Sequence, residues 1–122
     1  MATILVIEDD EMNMKLVRAL IALGKHDILE AVNAEGGIQL ARELHPDLIL
    51  MDIQLPGMDG LSATRAIKEE TGIGHIPIVA LTSHAMQGDE EKALDAGCDG
   101  YLTKPIDTRG FLGIIGKYLE SD

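Results

Sequence analysis

The chain has 122 residues and a formal charge of −11, from 21 acidic and 10 basic side chains. That length closes one hydrophobic core without disulfides or a structural metal, and the acidic balance argues against nonspecific binding to nucleic acid or anionic membrane, which needs clustered Lys and Arg. Proteins or cations are the expected partners, with no direct DNA binding and no membrane association.

The lone Cys98 forms no internal disulfide, and no Cys/His array stands at zinc spacing, so a reducing, cytoplasmic setting is expected and Cys98 reads as a small buried residue. The opening MATILVIEDD runs from a short apolar stretch straight into acids, without the basic region or cleavage site of a signal peptide. No apolar run approaches the roughly 20 residues that span a bilayer.

In chain order, Thr3 to Ile7 reads as a strand and Glu11 to Leu23 as a helix stopped by Gly24. Asp27 to Val32 is a second strand. Ala34 to Leu44 carries Ala34, Ile38 and Ala41 on one helical face before Pro46 ends it. Asp47 to Met51 follows as a strand, and Leu61, Thr64 and Ile67 mark a third helix. Ile76 to Leu81 is the fourth strand, and Met86, Ala93 and Leu94 mark a helix closing at Gly97. Cys98 to Leu102 is shorter and more polar, so it is an edge strand. Asp107 is a good N-cap for a last helix running to about Leu119.

Strand and helix alternating over short connections imply parallel strands joined by right-handed crossovers, with helices on both faces. The runs at Ile4, Ile49 and Val79 are apolar nearly throughout, as central strands are. The fold expected is therefore α/β, a doubly wound, flavodoxin-like sheet of five parallel strands in the order 2-1-3-4-5. Residues 1–122 are expected to be one domain, with no output domain.

In such a sheet the ligand sits outside the carboxyl ends of the strands at the switch point, here between the first and third. The first strand ends in Glu8, Asp9 and Asp10, and the third in Met51 and Asp52. Crowded carboxylates raise one another's pKa unless a cation relieves them, and a hard divalent ion such as Mg²⁺ (or Mn²⁺) is the simplest remedy. Asp10 and Glu11 have a plainer reading, as acids in the first turn of a helix. Nucleotide and flavin sites place glycines and N–H donors in this loop, so IEDDE excludes them. Thr82 closes the fourth strand, and Lys104-Pro105 follows the fifth. A hydroxyl and an ammonium on that rim suit phosphoryl oxygens.

With these residues in view, the sequence resembles the receiver domains of two-component response regulators over essentially its whole length. The matching segments are LVIEDDE at Leu5 to Glu11, PDLILMDIQLPGMDG at Pro46 to Gly60, IPIVALTS at Ile76 to Ser83 and AGCDGYLTKP at Ala96 to Pro105. It is most similar to stand-alone, single-domain regulators, with the receivers of hybrid kinases close behind. The resemblance implies that Asp52 is the phosphoacceptor and that Glu8 and Asp9 form the acidic pair at the metal. Asp9, Asp52 and the backbone carbonyl of Gln54 would be direct ligands. It further implies that Thr82 and Lys104 contact the phosphoryl group, that Tyr101 is the aromatic switch residue, and that Lys104-Pro105 is a cis peptide. The implied partners are a sensor histidine kinase or histidine phosphotransfer protein and a downstream protein. The domain would be no enzyme beyond catalysing its own phosphorylation and dephosphorylation.

The sequence departs from the commoner family pattern after Thr82, where Ser83 and His84 stand and a small Ala is frequent. His84 has a plain reading as an exposed loop histidine and an active one, bordering the path of the attacking water and making dephosphorylation pH-sensitive; Gln54 is placed to tune its rate. Met12 and Met14 lie by the first helix, near where family members dock their phosphodonor. On the last helix, at about 100° per residue, Gly110, Gly113 and Gly116 fall opposite the apolar face of Phe111, Ile115, Tyr118 and Leu119. That outer stripe reads either as a merely weak helix or as a surface that lets a second helix approach closely, and the resemblance implies that the face of the fourth helix, fifth strand and fifth helix serves as a dimer and output surface. A haloacid-dehalogenase-type phosphohydrolase would need a second Asp two residues past the nucleophile, where Gln54 stands. Two alternatives stay open: a pseudo-receiver that binds partners without phosphorylation, and the receiver portion of a larger hybrid kinase.

Overall fold

The computed structural model of the chain describes residues 2–55, 57–82, 89–104 and 106–120. Ser83, His84, Met86 and Pro105, and with it the expected cis peptide, lie outside these residues.

The elements alternate without exception: β1 (Thr3–Ile7), α1 (Glu11–Leu23), β2 (Asp27–Ala31), α2 (Ala34–Leu44), β3 (Leu48–Asp52), α3 (Gly60–Glu69), β4 (Ile78–Thr82), α4 (Asp89–Ala96), β5 (Gly100–Thr103) and α5 (Phe111–Glu120). All strand pairs are parallel, and the order is β2-β1-β3-β4-β5. This is the doubly wound sheet expected from the pattern. β3 and β4 are buried at every position, while the edge strands β2 and β5 keep exposed ones.

Because side chains alternate along a strand, the sheet feeds two cores. Leu5, Ile7, Ile49, Met51, Ile78 and Ala80 pack under α2, α3 and α4. Ile4, Val6, Leu48, Leu50, Val79 and Leu81 pack under α1 and α5, against Val17, Ile21, Phe111 and Ile115.

Where boundaries differ from those expected, the backbone hydrogen bonds say why. β4 starts at Ile78 rather than Ile76, since Pro77 has no N–H to give the ladder and the Ile76 N–H is held by the Ile73 carbonyl at 3.1 Å. β5 starts at Gly100 rather than Cys98, because the Cys98 N–H closes the end of α4 on the Ala93 carbonyl at 3.0 Å. Asp107 does not open α5 directly. Its side chain accepts the Arg109 N–H at 3.0 Å, forming a separate turn before the helix begins at Phe111. Gly24 closes α1 in an ordinary right-handed conformation, and the non-glycine residues in the left-handed region are Lys25 (φ 62), just after α1, and His45 (φ 47), just after α2. Leu94 is 47% exposed, so Ala93 and Ala96 carry the buried face of α4. Cys98 is buried, as expected.

Candidate functional site

β1 and β3 are neighbours that leave the sheet in opposite directions, into α1 on one face and α3 on the other. A crevice therefore opens at their carboxyl ends. The ladder continues a step past the strands. Glu8 N–H donates to the Ala31 carbonyl at 3.0 Å, Ile53 N–H to Leu81 at 3.1 Å and Lys104 N–H to Thr82 at 2.7 Å. Each of these backbones is thus tied to its neighbouring strand.

Asp10 is the cap of α1: its side chain accepts the Met12 N–H at 3.0 Å and the Asn13 amide at 2.9 Å. The helix cap thus takes this acid, as its plainer reading expects. Its own N–H donates to Glu8 Oε2 at 3.1 Å. Glu8 and Asp52 are buried, Asp9 is exposed, and one oxygen from each of the three lies within 4.8 Å of the others. Gln54 N–H donates to Asp52 Oδ1 at 2.9 Å.

Lys104 Nζ sits 2.7 Å from Glu8 Oε1 and 3.2 Å from Asp52 Oδ2. The contact with Oε1 is an ion pair by distance only, for this buried oxygen has no directed hydrogen bond among the described residues. Burial, reinforced by the Asp52 carboxyl, pushes Glu8 up to about 7, against the pull of Lys104 and of the Asp10 N–H. For Lys104, burial works against the charged form, yet the two carboxylates outweigh it and the ammonium is held above its ordinary value.

Buried Glu8 and Asp52 share one ammonium, and exposed Asp9 adds a third carboxylate beside them. An all-oxygen donor set with an unsatisfied buried oxygen suits a hard divalent cation of the Mg²⁺ class. Thr82 is the buried last residue of β4, one step beyond Leu81, which pairs with Asp52. Tyr101 is half-buried on β5 and packs against the α2–α3–α4 core. The Gln54 residue is exposed at the rim.

A cleft of about 320 Å³ adjoins the acids between α1 and the end of β2, lined by Glu8, Asp9, Glu11, Met14, Arg18, Glu30 and Val32. Arg18 donates to Glu30 Oε1 at 2.7 Å across it. Reading the sequence missed this pair, because its members sit on different elements and no local pattern joins them. Of the two methionines by this helix, Met14 belongs to the core and Met12 is 75% exposed.

Fold and site together define a doubly wound α/β domain with a carboxylate crevice at its switch point whose three acids could hold a cation. The family model described as response regulator receiver domain matches residues 4–115, and the chain belongs to that family. It is 44% identical over 117 residues to the polar-differentiation response regulator DivK of Brucella ovis, covering 96% of this chain and 95% of that relative. The DivK of Brucella anthropi matches to the same extent. Among solved structures, the receiver domain of sensor histidine kinase PA1611 from Pseudomonas aeruginosa PAO1 has 33% identity and a TM-score of 0.91, with 98% of each chain covered; its active-site cleft holds a coordinated magnesium ion. The chemotaxis protein CheY4 of Vibrio cholerae, at 20% identity, shares the fold with a TM-score of 0.90 over 97% of this chain and 98% of that one. The protein is a receiver domain of a response regulator, a signalling domain of two-component systems. No helix among the described residues is long and apolar enough to cross a membrane.

Proposed function

We propose that this receiver is switched by transfer of a phosphoryl group from a phosphohistidine to Asp52. The observation that carries the reading is the convergence of Glu8, Asp9, Asp52 and the Lys104 ammonium at one switch point. An Asp52 carboxylate oxygen attacks phosphorus, the P–N bond to the donor imidazole breaks, and the electron pair leaves with the imidazole, which takes a proton from solvent. The products are an acyl phosphate on Asp52 and a free histidine on the donor.

Asp9, Asp52 and the Gln54 carbonyl would hold Mg²⁺ or Mn²⁺, with Glu8 beside them. When bound, the ion supplies positive charge to the oxygens of the transferred group. Lys104 is already charged and aimed at Asp52, so it supplies a second positive charge without reorganising. Thr82 takes a phosphoryl oxygen as hydrogen-bond donor, and its movement lets Tyr101 turn inward on β5. The phosphate biases a two-state equilibrium. In this reading residues 1–122 act as one receiver unit in the cytoplasm. The partners are a sensor histidine kinase or histidine phosphotransfer protein upstream and a protein target downstream, with self-association through the outer face of α5. The domain promotes only its own phosphorylation and dephosphorylation.

The test is incubation with Mg²⁺ and acetyl phosphate followed by intact mass. Wild type gains one phosphoryl group, and Asp52→Asn and metal-chelated wild type gain none. Equal gain in Asp52→Asn would sink the assignment.

A further inference from the structure

Two glycines on neighbouring helices leave no room for a methyl group, and they differ in what fills the space. A Cβ on Gly37 of α2 would strike the end of the Ile7 side chain, which can turn aside. A Cβ on Gly60, the first residue of α3, would fall on the carbonyl oxygen of Asp52, 2.5 Å from Ile53 Cα and 2.9 Å from the Asp52 carbonyl carbon. Those atoms are main chain and cannot turn aside. The first turn of α3 lies directly on the peptide that follows the acceptor.

That turn is held from several sides. Gly60 N–H donates to the Ile53 carbonyl at 3.3 Å. The Gly60 carbonyl accepts the hydroxyl of fully buried Thr64 at 2.8 Å, and the Cys98 thiol donates to that hydroxyl at 3.7 Å. Asp59 caps the helix by accepting the Ser62 N–H at 2.8 Å. The next peptide, whose Ile53 carbonyl accepts the Gly60 N–H, carries the Gln54 N–H that reaches back to Asp52 Oδ1 at 2.9 Å. The height of the seat is thereby coupled to the direction of the carboxylate.

We propose that Gly60 is a positioning residue for phosphoryl transfer: its bare Cα lets α3 set the backbone of residues 52–54 and, through the Gln54 N–H, aim the Asp52 carboxylate. The proposal rests on Asp52 being the acceptor. Adding one methyl group at Gly60 must move either the helix or that peptide, and a misplacement of about 1 Å costs on the order of 10²-fold in rate for an oriented reaction. Thr64 assists by holding the Gly60 carbonyl.

The test compares the wild type with Gly60→Ala and with Gly74→Ala. The second change crowds the carbonyls of Lys68 and Glu70 at the far end of α3, so it is a destabilising control remote from the site. The readouts are the initial rate of phosphorylation by acetyl phosphate with Mg²⁺, the solvent exchange of the Gln54 amide by NMR, and urea stability. Gly60→Ala should slow phosphorylation and speed Gln54 exchange by about tenfold or more each. Gly74→Ala should lose stability with wild-type values of both. Wild-type rate and exchange in Gly60→Ala, or equal slowing in Gly74→Ala, would overturn the proposal. Should Gly60→Ala not fold, Thr64→Val frees the Gly60 carbonyl; a loss of about threefold or more in rate, restored by Thr64→Ser, is expected. Thr64→Val indistinguishable from wild type in both readouts would overturn the proposal as well. A wild type that takes no phosphoryl group overturns the acceptor assignment and, with it, a role of Gly60 in phosphoryl transfer; the two failures are distinguished because in that case Gly60→Ala still speeds Gln54 exchange.

Discussion

At the scale of single residues, Glu8 bears the cost of assembling the site. Burial and the Asp52 carboxyl raise it from 4.5 to about 7, so the folded protein holds its proton more tightly than the unfolded chain does. The stability this provides is complete below about 4.5 and is lost as pH rises through about 7. Without divalent metal, the unfolding free energy from urea titration should therefore fall between pH 5 and 8, by up to about 3 kcal/mol at roughly 1.4 kcal/mol per pH unit. Glu8→Gln should flatten that part of the profile, and the difference between the two curves isolates Glu8 from the histidines both proteins share. A wild-type curve parallel to Glu8→Gln would show that Glu8 titrates normally. Asp9, Asp52 and Lys104 were legible in sequence because each stands just past the end of an expected strand. The clamp of Lys104 on Glu8 was not, since it depends on a 2.7 Å approach between residues nearly a whole chain apart.

At the scale of elements, hydrophobic period and punctuation were enough to find every strand and helix, and what moved was the ends. Ends are set by hydrogen bonds that the pattern does not carry, such as the Cys98 N–H spent on α4 or the donor missing at Pro77. The same local accounting shows where stability can be added. His45 closes α2 in the left-handed region at φ 47, with its N–H on the Ala41 carbonyl at 3.0 Å. A side chain there costs about 1 kcal/mol relative to glycine. His45→Gly should raise urea stability by about that amount and leave phosphorylation unchanged, as it lies at the opposite end of the sheet from Asp52. On α5, nothing lies within 4 Å of where a Cβ would stand at Gly113 or Gly116, so the glycines do face outward. Gly113→Leu should stabilise the helix by about 1 kcal/mol from propensity alone. If the proposed self-association uses this face, the same change weakens it in sedimentation velocity. Raised stability with unaltered association would remove α5 as the dimer surface.

At the scale of the whole molecule, a charge of −11 on 122 residues means that the compact state repels itself before any particular contact is considered. Monovalent salt relieves this through screening, gradually and without saturation, over a Debye length of about 10 Å at 0.1 M. Mg²⁺ held as proposed would relieve it in two ways: by the same screening, and by binding where Glu8, Asp9 and Asp52 meet. The two separate cleanly at matched ionic strength. Thermal stability in NaCl should rise smoothly, whereas in MgCl₂ a saturable increment should sit on top, about 2.7 kcal/mol at one hundred times the dissociation constant. Asp9→Asn removes an exposed carboxylate that leaves little packing behind, so it should lose the saturable increment and keep the screening response. Identical NaCl and MgCl₂ curves for wild type would mean that the carboxylate crevice is relieved by Lys104 alone and that the fold needs no metal to hold its acids together.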